Sequence, residues 1–149
     1  MIQFFIEQTD FPIKRRGIKT HIRTCIKKLI EAENKKEGKI NFIFCSDEYL
    51  LEINKQYLKH DYYTDIITFD YSIFPVVSGD MYISTDMVRR NAEEYAPSFE
   101  HELFRVLFHG VLHLCGYKDK LPNEEKLMRE KENHYLHTNK INDEEYKKY

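Results

Sequence analysis

His109 and His113 stand four residues apart, Gly116 follows three after the second histidine, and Asp119 three after that. On a helix, positions i and i+4 share one face, so two imidazoles at this spacing can reach a single ion about 2 Å away. Two ligands are too few for a stable site. Gly116 supplies a residue that tolerates the left-handed backbone that ends a helix and reverses the chain. The reversal can carry Asp119 back under the two rings. Two imidazoles and one carboxylate leave a fourth position open to water, the pattern of a catalytic rather than a structural zinc site. The expected metal and catalytic residues are therefore His109, His113 and Asp119. Zinc is the expected ion, one per chain, with other divalent transition metals as substitutes.

The spacing HxxxHxxGxxD follows the zinc-protease pattern HExxHxxGxxH with two changes. Asp in place of the third His keeps a competent ligand, but its negative charge weakens the ion as a Lewis acid. The second change matters more. A zinc protease carries its general base directly after the first histidine, and here that position is Gly110. A peptidase built on this sequence would lack its proton acceptor. The same donor set occurs in non-haem iron oxygenases, but those sites generally sit in β-barrels and this chain has too few strands. His101 lies two turns before His109 and reads as a surface or supporting residue. His21, His60, His134 and His137 have no ligand spacing and read as ordinary.

The elements that must hold these residues follow from periodicity. IQFFI (2–6) reads as a strand, and 18–32 as a helix whose apolar positions Ile18, Ile22, Cys25, Ile26, Leu29 and Ile30 recur at helical spacing. Lys19, Arg23, Lys27 and Lys28 give that helix a basic outer face. Gly38 marks a turn before a buried strand at 39–45. Ser46 then caps a helix running through Tyr57. Strands follow at 65–71 and 80–85, and then a helix from Asp86 to Glu94 capped by Thr85. The metal helix spans 98–115 behind a Ser98 cap, and a last helix covers 123–137. The order β-α-β-α-β-β-α-α-α predicts one small α+β domain, α/β-like, with a mixed sheet of about four strands and a zincin-like metal helix. It fills 1–138 and leaves a polar tail at 139–149.

Residues 1–39 carry ten Lys and Arg against five Asp and Glu, whereas 40–119 carry six against thirteen. A basic segment beside an acidic one suits a molecule that holds a polyanion in one place and a cation in another. The longest apolar runs fall far short of the roughly 20 residues that span a membrane. The N-terminus shows neither a basic n-region nor a small-residue cleavage site. Three scattered cysteines form no disulfide framework, so the expected compartment is the cytoplasm.

Longer stretches extend the pattern. HGVLHLCGYKD (109–119) resembles the signature HGxLHLxGYDH of the YbeY family, NKQYLKHDYYTDIITF (54–69) resembles its NxxYRxxDxxTDVLSF segment, and GDMYIS (79–84) its GDIxIS strand. The resemblance covers nearly the whole chain. It implies a metal-dependent single-strand endoribonuclease of rRNA maturation and ribosome quality control, with single-stranded rRNA and the small ribosomal subunit as partners. Two positions depart from the family. Its third histidine falls on Asp119 and the acidic residue before it on Lys118. Its arginine implicated in RNA cleavage falls on Leu58, so that role is either vacant or taken by Lys59, Arg89 or Arg90. Tyr57, Tyr62 and Tyr63 are placed to stack on unpaired bases, and the basic helix 18–32 to grip phosphates. Two further readings compete with RNA cleavage: a metallopeptidase-like hydrolase on the same scaffold, and a non-catalytic ribosome-associated protein with a structural metal.

Overall fold

The computed structural model describes residues 1–141. Its elements are β1 (Ile2–Glu7), α1 (Ile18–Ala32), β2 (Lys36–Cys45), α2 (Asp47–Ile53), β3 (Ile66–Asp70), β4 (Val76–Ser84), α3 (Thr85–Tyr95), α4 (Phe99–Leu114) and α5 (Pro122–Thr138). This is the order read from the sequence. The four strands form one mixed sheet in the order β1-β2-β4-β3. β1, β2 and β4 are parallel, and β3 runs antiparallel to β4 along one edge.

The six apolar positions of α1 are all buried. They share one core with Ile40, Phe42 and Phe44 of β2 and with α4. α4 is apolar on most of its circumference, as a central helix must be: Leu103, Phe104, Val106, Leu107, Phe108, Val111, Leu112 and Leu114 are fully buried. A smaller cluster of Cys45, Leu50 and Ile67 lies under α2 on the opposite face of the sheet.

Several boundaries differ from the sequence reading, some for non-local reasons and some for local ones. β4 begins at Val76 and β2 at Lys36, because Lys36 pairs with Val76 and Glu37 with Val77. Gly38 is therefore inside β2, at a register irregularity between Glu37 and Ile40. Ser84, one residue before the expected cap, accepts the Met87 N–H at 3.1 Å and starts α3. The segment Asn54–Leu58 winds on from α2 as a π-turn, with Lys59 left-handed at φ 56° behind it. Ile141 is buried in the main core, past the 138 boundary. Residues 142–149 of the expected tail lie outside the described residues. No helix among the described residues is long and apolar enough to cross a membrane. Cys25, Cys45 and Cys115 are free and buried.

Candidate metal centre and its cleft

α4 starts where the Ser98 hydroxyl accepts the His101 N–H at 3.1 Å. It ends in a Schellman turn: Tyr117 N–H reaches the Leu112 carbonyl at 3.1 Å and Gly116 N–H the His113 carbonyl at 3.0 Å. Gly116 sits at φ 109°, a conformation that side chains disfavour. The turn brings Asp119 back to the helix. Asp119 Oδ2 lies 3.2 Å from Nε2 of both His109 and His113, and the two Nε2 atoms are 3.1 Å apart.

The other nitrogen of each ring is already committed. His109 Nδ1–H donates to Glu132 Oε2 at 2.6 Å, and His113 Nδ1–H donates to the Tyr117 carbonyl at 2.8 Å. A neutral imidazole that donates from Nδ1 presents a bare acceptor at Nε2. Two such acceptors and a carboxylate oxygen would repel one another at these separations unless a cation sat among them. Tetrahedral coordination with bonds of about 2.0–2.1 Å places ligand atoms roughly 3.3 Å apart, close to the triangle observed. His109, His113 and Asp119 form the one cluster of this kind found among the described residues. Chemistry and spacing both fit a divalent metal. The Asp119 side chain is 36% exposed, so the triangle is open on one side.

Behind His109 lies a buried charge network. Glu132, 2% exposed, receives Arg105 at 3.1 Å and Arg129 at 3.3 Å. Arg105 also holds Glu102 at 2.5 Å and approaches Asp65 at 3.5 Å. Burial pushes the Glu132 carboxyl up, but the His109 hydrogen bond and the nearby guanidinium groups hold it below the usual carboxylate range. Asp65 is raised, because its burial outweighs the attraction of Arg105.

Gly110 has a steric reason. A Cβ there would stand 2.6 Å from Met81 Sδ and 2.8 Å from Ile66 Cδ1. α4 therefore packs closely on the sheet side chains at 110, and any larger residue there would have to displace the ends of Met81 and Ile66. The carboxylate that His109 does receive comes from α5, on the ring edge away from the Asp119 contact.

The triad opens into a cleft of about 680 Å³. β3 forms one wall, 116–120 another, and the loop after α2 the rim. Asn54, 1% exposed, pins that loop by donating to the Tyr62 carbonyl at 2.9 Å. Leu58, at the position of the family arginine, lines the cleft, as do Tyr62, His60, Lys118 and Lys120. The other cations singled out from sequence lie elsewhere. Lys59 is exposed outside the lining. Arg90 is paired with Asp47 at 2.6 Å, and Arg89 lies over the Phe99 ring. Tyr57 packs edge-on against Phe69 and borders a different surface hollow with Tyr49 and Gln8. Tyr63 is exposed outside the lining. α1 contributes nothing to the lining, and its Lys19 and Arg23 sit over the rings of Phe11 and Phe4. His101 borders a separate hollow with Glu102 and Arg105. Sequence reading missed Glu132 and Arg105, which carry no spacing signal, and gave no role to Asp65 although it lies in the 54–69 segment. It also passed over His60, whose Nδ1 lies 3.0 Å from the Tyr62 hydroxyl.

Comparison with known proteins shows which family the chain belongs to. The family profile described as Endoribonuclease YbeY matches residues 3–140. The chain is 52% identical over 136 residues to the Endoribonuclease YbeY of Flavobacterium psychrophilum, spanning 91% of this chain and 94% of that one. With its counterpart from Parabacteroides distasonis the identity is 48%, over 91% and 93% of the two chains. Among solved structures, TM1509 from Thermotoga maritima, determined in solution, superposes with a TM-score of 0.64 at 28% identity over 91% of this chain and 87% of that one. Because these matches run through sheet, cleft loop and triad together, the chain belongs to the YbeY family.

Proposed function

We propose that this protein is a zinc-dependent endoribonuclease that cuts single-stranded RNA within the cleft, acting in rRNA maturation at the small ribosomal subunit in the cytoplasm. The observation that carries the reading is the triangle of His109, His113 and Asp119, with both Nδ1 atoms already bonded and one side open to the cleft. An ion bound there would polarise a water molecule and offset negative charge gathering on a phosphodiester. The chain's own residues do the rest. The two histidines and Asp119 hold the ion, and Glu132 and the Tyr117 carbonyl fix the rings so that both Nε2 atoms face it. Lys118 and Lys120 attract the RNA backbone to the ligand loop. His60 and Tyr62 form a stacked pair on the rim, with centroids 5.2 Å apart, and offer a π surface to an unpaired base. Gly110 leaves no proton acceptor beside His109 on the open side, which favours a phosphodiester over a peptide as substrate.

The test is metal content and RNA cleavage measured together. The wild-type chain should purify with close to one zinc per chain and cut single-stranded RNA more readily than duplex. Asp119→Ala and His113→Ala should lose the metal and the cutting. RNA binding without metal-dependent cutting would leave the non-catalytic reading, and casein degradation that His113→Ala abolishes would restore the peptidase one.

A further inference from the structure

We propose that Glu33, at the end of α1, is a positioning residue for the metal centre, acting on His113 through Tyr117. The proposal rests on the metal-site reading above. Glu33 is 9% exposed and receives three donors. Tyr117 Oη–H reaches its Oε1 at 2.6 Å, while Lys131 Nζ at 3.2 Å and the Tyr135 hydroxyl reach its Oε2. Hydrogen bonds to an ionised acceptor are roughly twice as strong as neutral ones. Burial alone would raise the carboxyl, but the three donors hold it below the usual range and keep it charged.

The geometry gives this clamp a consequence beyond packing. Tyr117 is the residue whose carbonyl accepts the His113 Nδ1–H at 2.8 Å, and it lies two residues before Asp119. Fixing the Tyr117 side chain from α1 therefore fixes two things at once: the acceptor that sets the rotation and tautomer of His113, and the backbone that delivers Asp119. Glu33 and Tyr117 are 84 residues apart, so the contact ties the ligand loop to the end of α1. The two supports also share α5. Lys131 reaches Glu33 while its neighbour Glu132 receives His109, so consecutive residues of one helix steady both rings.

The experiment measures zinc affinity by competition with a chromogenic chelator, beside the absorption spectrum of the cobalt-substituted chain and the melting temperature of the metal-free chain. Glu33→Gln and Tyr117→Phe should each weaken zinc binding about fivefold, short of the tenfold or more that follows loss of an outer partner because the carbonyl itself remains, and should alter the cobalt ligand-field bands. Tyr135→Phe removes a donor from the same carboxylate without touching the ligand loop. It should lower the metal-free melting temperature and leave zinc affinity within about twofold. If Glu33→Gln and Tyr117→Phe lose stability as Tyr135→Phe does while keeping wild-type zinc affinity and cobalt bands, the positioning role is wrong and Glu33 only packs the fold. Should Glu33→Gln fail to fold, Tyr117→Phe decides by the same readouts. His113→Ala separates the two levels: wild-type zinc affinity there would overturn the metal site itself rather than the role of Glu33.

Discussion

The two histidines of the centre are held by different means. His109 leans on a side-chain carboxylate, Glu132, sunk in a network of Arg105, Glu102 and Arg129. His113 leans on a main-chain carbonyl in the turn that ends its own helix. The first support is strong and charged, and one substitution can remove it. The second cannot be deleted by any side-chain change, only loosened. A pair of histidines on one helical face thus divides its support between a charge network assembled from distant elements and a turn closed by its own backbone.

Substitutions can break this asymmetry in descending order of effect. Glu132→Ala should be the most damaging, because it strips a buried arginine of one of its carboxylates as well as freeing His109. Breaking a buried pair in this way destabilises by about 3 kcal/mol, which denaturant unfolding of the metal-free chain would measure. Zinc affinity should fall by about 10- to 100-fold in the same variant. Gly110→Ala comes next. Helix propensity favours alanine by about 1 kcal/mol, but overpacking against Met81 and Ile66 costs about 1–3 kcal/mol, so the net change should be a modest loss in the melting temperature.

Acid should act through the His109 side. Glu132 is held below its ordinary range in the folded chain. Its contribution is therefore complete at pH values above the range where an unfolded carboxylate titrates, and it is lost as the pH falls through the lower folded value. Stability measured against pH should decline on that acid limb, and Glu132→Gln should flatten the decline. A slope unchanged by Glu132→Gln would assign acid sensitivity to other carboxylates. The smallest effect belongs to the cleft rim. Lys118→Ala and Lys120→Ala should each reduce the salt dependence of RNA binding by about one unit of slope while leaving zinc affinity unchanged.

The grouping of His109, His113 and Asp119 was legible in the sequence because its members are local: two lie on one helical face, and the third follows a turn that Gly116 announces. The buried stripe of α1 was legible for the same reason, since its period is written in one segment. Glu132 and Glu33 were not. They come from elements that meet α4 and its turn only after the chain has folded, and no spacing relates them to the histidines. The early start of β4 escaped because its cause, the pairing with Lys36 and Glu37, lies on another strand. His60 was passed over since its spacing says nothing; what places it is a loop tied down by Asn54. Gly110 could be read as the absence of a base, but its cause, the closeness of α4 to Met81 and Ile66, appears only in three dimensions.

The Schellman turn after α4 also bears on thermodynamics. All three proposed ligands fall between positions 109 and 119, so a single helical turn and a chain reversal suffice to gather them. A denatured chain that flickers through that local shape can still capture zinc, and ligand held by the unfolded ensemble subtracts from the stabilisation that binding gives the native one. Saturating zinc should therefore raise the melting temperature by less than its affinity for the folded protein would dictate, and the shortfall would report how much of the chelating hairpin survives without the rest of the fold.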